Sequence, residues 1–415
     1  MKHKWLILFV CGCAFSCRTL PSEPDLLTKL LSRKPGHFTD IVAQKDRFEI
    51  QILYTQIDRD RNNQPSFKTF AYNFDSTRYF YPASTVKLPL VLLSLEKLRR
   101  INIEGLDMFT PMFHDSLFSG QRSVSRDSTS ETGLPSVAHY SKKILVVSDN
   151  DAFNRLYEFM GQEATNELLR NKGYEGARII HRLERPLTRE QNRYTEAVSF
   201  RRGDVVFYAQ PMLIAKPLEV AVKVLKGKGF IRNDSLIESP FDFTYKNFLP
   251  LNTQQEILKS ILFPQSVPAR REFNISEPDR QFVMKYMSQL PRETLFPAYF
   301  KDSSYYDAYC KFLMYGIDRG RIPEHIRIFN KVGDAYGYLI DNAYIVDFKN
   351  NVEFMLSAVI HTNTDGIYND GKYEYETIGY PFMQELGRRI YKYELKRKRK
   401  FRPDLSAFKL TYDRM

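Results

Sequence analysis

A basic start, Lys2-His3-Lys4, leads into an apolar run from Trp5 to Phe15. That run is too short to cross a bilayer and suits the core of an export signal. The stretch 17–47 reads as a tether carrying one short helix, Pro21 to Leu31. Phe48 to Arg59 alternates apolar and polar positions and predicts a strand. Ser66 to Phe74 predicts a second, with Asn62-Asn63-Gln64-Pro65 as the turn. From Ser84 the period lengthens. Leu88, Leu90, Val91, Leu93, Leu95 and Leu98 predict a buried helix, and 100–230 reads as helical segments joined by polar loops. Helices are expected over 253–263, where Thr253 and Glu256 have capping-box spacing, and over 276–289, where Ser276 precedes Pro278. Three strands follow at 325–331, 336–348 and 352–361, then an amphipathic helix at about 376–396. Strands, a helical middle, strands and a helix predict an α+β fold. Its outer strands join one antiparallel sheet flanked by helices, beside an all-helical half.

Composition narrows the class. The chain has 415 residues, 43% of them hydrophobic and 14% aromatic, which is ample for a core and unlike a disordered chain. No run of 18 apolar residues occurs, which excludes a polytopic membrane protein. Part of the net charge of +12 sits in Lys396-Arg397-Lys398-Arg399-Lys400, read as a solvated helix end. Contact with anionic lipid or cell wall is the alternative for an exported chain, and nucleic acid is not an expected partner. The histidines show no metal-ligand spacing, so no metal is expected.

The cysteines are Cys11, Cys13, Cys17 and Cys310. Ala14-Phe15-Ser16-Cys17 resembles the lipobox of bacterial lipoproteins. This implies removal of 1–16, lipidation of Cys17 and a cell-envelope location with a membrane anchor. Cys310 is then alone, expected as a buried apolar side chain without an intramolecular disulfide. Residues 48–415 read as one domain.

The candidate chemistry begins at Tyr81-Pro82-Ala83-Ser84-Thr85-Val86-Lys87. Pro82 marks a helix start, which places Ser84 in the first turn, where backbone N–H groups favour developing negative charge. Lys87 lies on the same face, and an amine with a lowered pKa can take the serine proton. The spacing alone is weak. Ser94…Lys97 and Ser406…Lys409 repeat it, one inside a helix and the other in the tail. Ser148-Asp149-Asn150 follows an apolar run. Its hydroxyl can relay a proton and its amide can fix a lysine and a substrate carbonyl, although all three residues are also good helix caps. Lys331-Val332-Gly333 falls on an expected edge strand. The cation can hold a carboxylate, and glycine permits close backbone approach.

Together these motifs resemble the S-x-x-K, S-D-N and K-T-G set of class A serine β-lactamases and penicillin-binding proteins. The resemblance spans about 48–195 and 276–395. It implies a serine hydrolase that forms an acyl-enzyme on Ser84, with no organic cofactor. Lys87, or Glu184 through a water, serves as base, Ser148 as proton relay, and Asn150 and Lys331 position the substrate. The Gly333–Asp334 segment supplies a backbone N–H, that of Asp334, to the oxyanion hole. Glu184-Arg185-Pro186-Leu187-Thr188 is similar to the class A segment whose glutamate activates the deacylating water, with Thr188 where Asn is usual. Glu190 is its nearest competitor. The implied substrate is a β-lactam or a peptidoglycan-like amide. The alternatives are a D-Ala-D-Ala peptidase, another amide or ester hydrolase, or a non-catalytic envelope protein. Three departures stand out: Val332 removes the expected hydroxyl, Asp334 puts a carboxylate at the oxyanion position, and the distance from Ser148 to Lys331 implies a long insertion at about 196–275.

Overall fold

The computed structural model describes residues 25–118 and 121–414. The expected signal segment 1–16 and Cys17 lie outside the described residues.

Five strands form the central antiparallel sheet, in the order Ile326–Ala335, Tyr338–Asp347, Val352–His361, Gln51–Arg59 and Pro65–Tyr72. The early strands therefore join the late ones, with Gln51 opposite Val359. Every residue of Tyr338–Asp347 and Val352–His361 is buried, as inner strands covered on both faces require. The edge strand Pro65–Tyr72 has no buried residue and alternates between half-buried and exposed positions along much of its length. The expected α+β arrangement is present.

Helix Tyr380–Glu394 covers one face of the sheet through Phe382, Leu386 and Ile390. The stretch expected as a tether is, over 25–47, part of this layer. Helices Leu26–Leu31 and His37–Ala43 bury Leu27, Leu30, Phe38 and Ile41 in the same core, and Phe38 stacks on Phe382 at 5.4 Å. Amphipathic spacing in so short a segment is easily taken for linker.

The other face carries the helical half. Helix Lys87–Ile101 is buried along nearly its whole length, and its apolar residues share a core with helices Val137–Val147 and Asn150–Met160. A helix apolar on all sides belongs at such a centre. The helix expected at 253–263 runs Leu251–Leu262 after Pro250 and has no side-chain cap, so the Thr253–Glu256 spacing is not a capping box. The Ser276–Asp279 capping box does form, at 3.1 and 3.2 Å.

The expected insertion, 196–275, divides in two. A hairpin, Val198–Arg202 with Val205–Gln210, pairs with Met112–His114. Small strands at Gly229–Arg232 and Ser235–Ile237 form a second sheet with Ile367–Tyr368. Helix Leu251–Leu262, by contrast, is integral. Gln255 accepts from Thr55 Oγ1 and donates to Ser357 Oγ, both at 2.9 Å, and Ile257, Leu258 and Ile261 are buried in the main core.

The basic run is not wholly solvated. Arg397 donates through Nε to the buried Glu394 at 2.9 Å, and Arg399 pairs with the same carboxylate; Lys396, Lys398 and Lys400 are exposed. Cys310 is buried and free, as expected.

Candidate active site

Ser84 sits in a tight turn, Ala83–Val86, that leads into the helix starting at Lys87. The turn is pinned where Thr85 donates to the Pro82 carbonyl through its N–H at 3.1 Å and its hydroxyl at 2.7 Å. Ala83 has φ +46°, a left-handed conformation that costs a residue with a Cβ about 1–2 kcal/mol. The surrounding packing holds that strain immediately before the serine.

Lys87 is fully buried. Its Nζ donates to the Ser148 carbonyl, to Ser148 Oγ at 3.3 Å and to Asn150 Oδ1 at 2.5 Å. Burial, then the nearby Lys331, holds its pKa well below that of an ordinary lysine. The Ser84 hydroxyl has no hydrogen-bond partner among the described residues.

Ser148-Asp149-Asn150 is a helix–helix corner. Ser148 ends helix Val137–Val147 at φ +62°, and Asp149 caps the next helix by accepting from the Ala152 N–H at 2.7 Å. The capping role falls to Asp149 alone. Ser148 and Asn150 are left to meet Lys87.

Lys331 reaches the same corner from the edge strand Ile326–Ala335. Its Nζ donates to Ser148 Oγ at 2.7 Å and to the Val332 carbonyl at 2.9 Å, and burial pushes its pKa down to about 8. Ser148 Oγ thus lies between two buried amines. Val332 packs into the apolar core beneath helix Tyr380–Glu394, so no hydroxyl is presented there.

The strand runs past its expected end at 331 and presses on the serine turn. A Cβ on Gly333 would lie 2.8 Å from the Pro82 carbonyl oxygen and 2.9 Å from the Ser84 nitrogen. The two-residue turn Tyr336-Gly337, with φ +54° and +79°, closes this strand onto the next, placing Ala335 opposite Tyr338. Counting back from that closing pair, Asp334 opposite Leu339 is a pair without hydrogen bonds, so its N–H points to the open edge. The Asp334 side chain is accessible. The protein crowding it, with a contribution from Glu184, raises its pKa against the pull of Lys331 and Lys87.

Glu184 is exposed at φ +52° and makes no hydrogen bond or ion pair among the described residues. It is not joined to Lys87 or Asn150. Thr188 bonds within its own loop to Gln191, and Glu190 is held by Arg193 at 2.5 Å. Sequence reading missed what anchors this loop. Arg182, just before the Glu184 segment, is buried and forms a two-point pair with Glu158 at 2.7 and 2.9 Å. Asn154 exchanges two hydrogen bonds of 2.9 Å with the backbone of Leu183. Of the other serine–lysine repeats, Lys97 donates to the Phe159 carbonyl and Gln210, a structural role.

Residues 37–202, which contain Ser84, Lys87, Ser148, Asn150 and Glu184, match the model of the beta-lactamase enzyme family. Over that segment, about two fifths of its length, the chain is similar to that family. No curated protein matches it. Among solved structures, the chain is similar to the beta-lactamase of Sphaerobacter thermophilus: 14% identity, 86% of this chain and 97% of that one covered, TM-score 0.47. It is also similar to the class A beta-lactamase of Clostridium kluyveri (12% identity, 85% and 97% covered, TM-score 0.47) and to PBP-A (13% identity, 89% and 95% covered, TM-score 0.45). In this chain a serine, two low-pKa amines and a bridging hydroxyl lie beside an edge-strand N–H. That set can generate an alkoxide, hold an oxyanion and protonate a leaving nitrogen.

Proposed function

We propose that the protein is a serine hydrolase that opens β-lactam-type amides through an acyl-enzyme. The observation that carries this is Ser148 Oγ, 3.3 Å from Lys87 Nζ and 2.7 Å from Lys331 Nζ. Neutral Lys87 takes the Ser84 proton, a contact that tightens when substrate binds. Ser84 Oγ bonds to the carbonyl carbon, and the N–H groups of Ser84 and Asp334 hold the oxyanion. As the C–N bond breaks, Ser148 gives its proton to the nitrogen and is resupplied by the adjacent amines. Water then cleaves the ester, and Ser84 Oγ regains its proton.

A second reading is a site of the penicillin-binding type that acylates and then deacylates slowly. Glu184, exposed and unpartnered among the described residues, favours it, because a general base must be held against its water. Protein mass and lactam loss, followed together after mixing with a labelled penicillin, separate the readings. A transient adduct on Ser84 with continuing lactam loss supports the hydrolase, and a stable adduct supports the slow acyl-enzyme. Neither adduct nor loss overturns both.

We also propose export and lipid anchoring at Cys17, supported by the basic start, the apolar run and the small residues before the cysteine. Incorporation of labelled fatty acid that is lost in Cys17→Ala tests this.

A further inference from the structure

Between the 181–193 loop and the inserted segment 218–246 lies a cavity of about 570 Å³. It meets the serine turn through Tyr81, three residues before Ser84, and the strand hairpin through Tyr336, two residues after Asp334. Ser148, Asn150 and Lys331 do not line it. Ser84 and Asp334 do not line it either, so the cavity adjoins the site on the side of Glu184 and the strand hairpin, away from the corner that serves the leaving nitrogen.

Its polar lining is unbalanced. Arg189 and Arg193 are engaged by Glu219 and Glu190 at 3.0 and 2.5 Å, and Arg182 by Glu158. Arg185 and Lys246 have no carboxylate partner among the described residues. The Lys246 ammonium instead lies 5.7 and 5.8 Å from the ring centres of Phe241 and Tyr336. Among the described residues, Glu184 and Asp242 are the only acids on the lining, against five cationic side chains.

One buried acceptor is also unspent. His181 Nδ1 is 2.7 Å from the Arg182 carbonyl oxygen, which can only accept, so the ring proton is on Nδ1. Nε2 is then a bare lone pair, buried and without a partner among the described residues. Burial, with Lys246 nearby, keeps the imidazole neutral, its pKa pushed down to about 3. The ring is parallel to Tyr81, with centres 6.0 Å apart. A buried acceptor without a donor is an unmet hydrogen bond that a ligand N–H can satisfy.

We infer that this cavity is a subsite for the acyl portion of a peptide-like donor bearing a carboxylate. An amide N–H of that portion donates to His181 Nε2, and its carboxylate lies between Arg185 and Lys246. Its chain runs over the rings of Tyr81, Tyr336 and Phe241. The acyl-transfer reading enters only in deciding which end of the substrate occupies the cavity.

Binding is tested apart from reaction in Ser84→Ala. That protein is titrated with N-acetyl-alanyl-glutamate amide and with its isosteric glutamine analogue. The acidic peptide is expected to bind about tenfold tighter, a preference that shrinks at high salt. In Arg185→Ala/Lys246→Met the preference falls below about twofold. Equal affinities, or a preference that survives the double substitution, overturn the subsite. Unaltered protein is then acylated with two penicillins that differ by one side-chain carboxylate. Faster acylation by the anionic one identifies a lactam side chain as an occupant, and equal rates with acidic-peptide preference intact assign the cavity to peptide donors. If the acidic peptide is preferred but neither penicillin acylates Ser84, the subsite stands and the lactam reading falls. If both acylate and neither peptide is preferred, the reverse holds.

Discussion

Lys331 Nζ and Ser148 Oγ lie 2.7 Å apart, tying the edge of the sheet to the corner between two helices. This bond closes the site across the two halves of the molecule, and both partners have a proton-handling part in the proposed reaction. Lys331, with a pKa of about 8, is charged below that pH and neutral above it. Lys87 must be neutral to act as base, and its lowered pKa extends the neutral form toward acid. The rate of Ser84 acylation is therefore expected to be bell-shaped in pH. It falls in acid as Lys87 is protonated and falls above about 8 as Lys331 loses its proton. Lys331→Met should slow acylation by about 10²-fold or more and abolish the alkaline limb. Stopped-flow acylation across pH checks this, and an alkaline limb that persists in the variant assigns it to another group.

Gly333 is where strand and nucleophile touch. An added Cβ would meet the Pro82 carbonyl oxygen at 2.8 Å and the Ser84 nitrogen at 2.9 Å, both backbone atoms that cannot swing aside. Gly333→Ala should push the strand off the serine turn and misplace the Asp334 N–H. Loss of one oxyanion donor costs about 10²–10³ in rate. The expected result is that loss in acylation with the fold retained by circular dichroism. Acylation within about tenfold of the parent would show that the two N–H groups do not act together.

Glu184 is the carboxylate best placed by motif and least supported by geometry. A general base on water contributes about 10²–10⁴ when it is held in place. Because Glu184 is exposed and unpartnered among the described residues, Glu184→Gln is expected to change deacylation by less than about tenfold. Acyl-enzyme lifetime, read by mass after a single turnover, decides the matter. A lifetime lengthened about 100-fold restores Glu184 as the base.

Much of this site was legible because its chemistry is written in short motifs with local signals. Pro82 announced the serine turn, an apolar run announced the Ser148 corner, and alternation announced the strand bearing Lys331. What escaped was set by distant partners. Arg397 and Arg399 look like their exposed lysine neighbours until Glu394, buried in the helix before them, turns them inward. Helix Leu251–Leu262 falls inside the expected insertion because spacing reveals only how much chain is extra, not which part packs on the sheet. Helices Leu26–Leu31 and His37–Ala43 read as tether because their partner, Phe382, lies more than three hundred positions away. Likewise nothing near Arg182 in sequence marks Glu158 as its partner.

That last pair supports the final prediction. Arg182 and Glu158 are both buried without side-chain exposure, joined by bonds of 2.7 and 2.9 Å. Arg182 also donates to the Tyr194 carbonyl at 2.6 Å, and Glu158 accepts from the Glu196 N–H at 2.6 Å. The pair therefore fastens both ends of the loop that carries Glu184 to helix Asn150–Met160. Removing the arginine strands a buried carboxylate, which costs about 3–5 kcal/mol. Arg182→Met should lower unfolding free energy by that amount. Arg182→Lys should recover only part of it, because an ammonium cannot reproduce the planar two-point contact. Denaturant unfolding measures both. Arg182→Met within about 1 kcal/mol of the parent would mean that the loop is anchored mainly by the Asn154–Leu183 bonds instead.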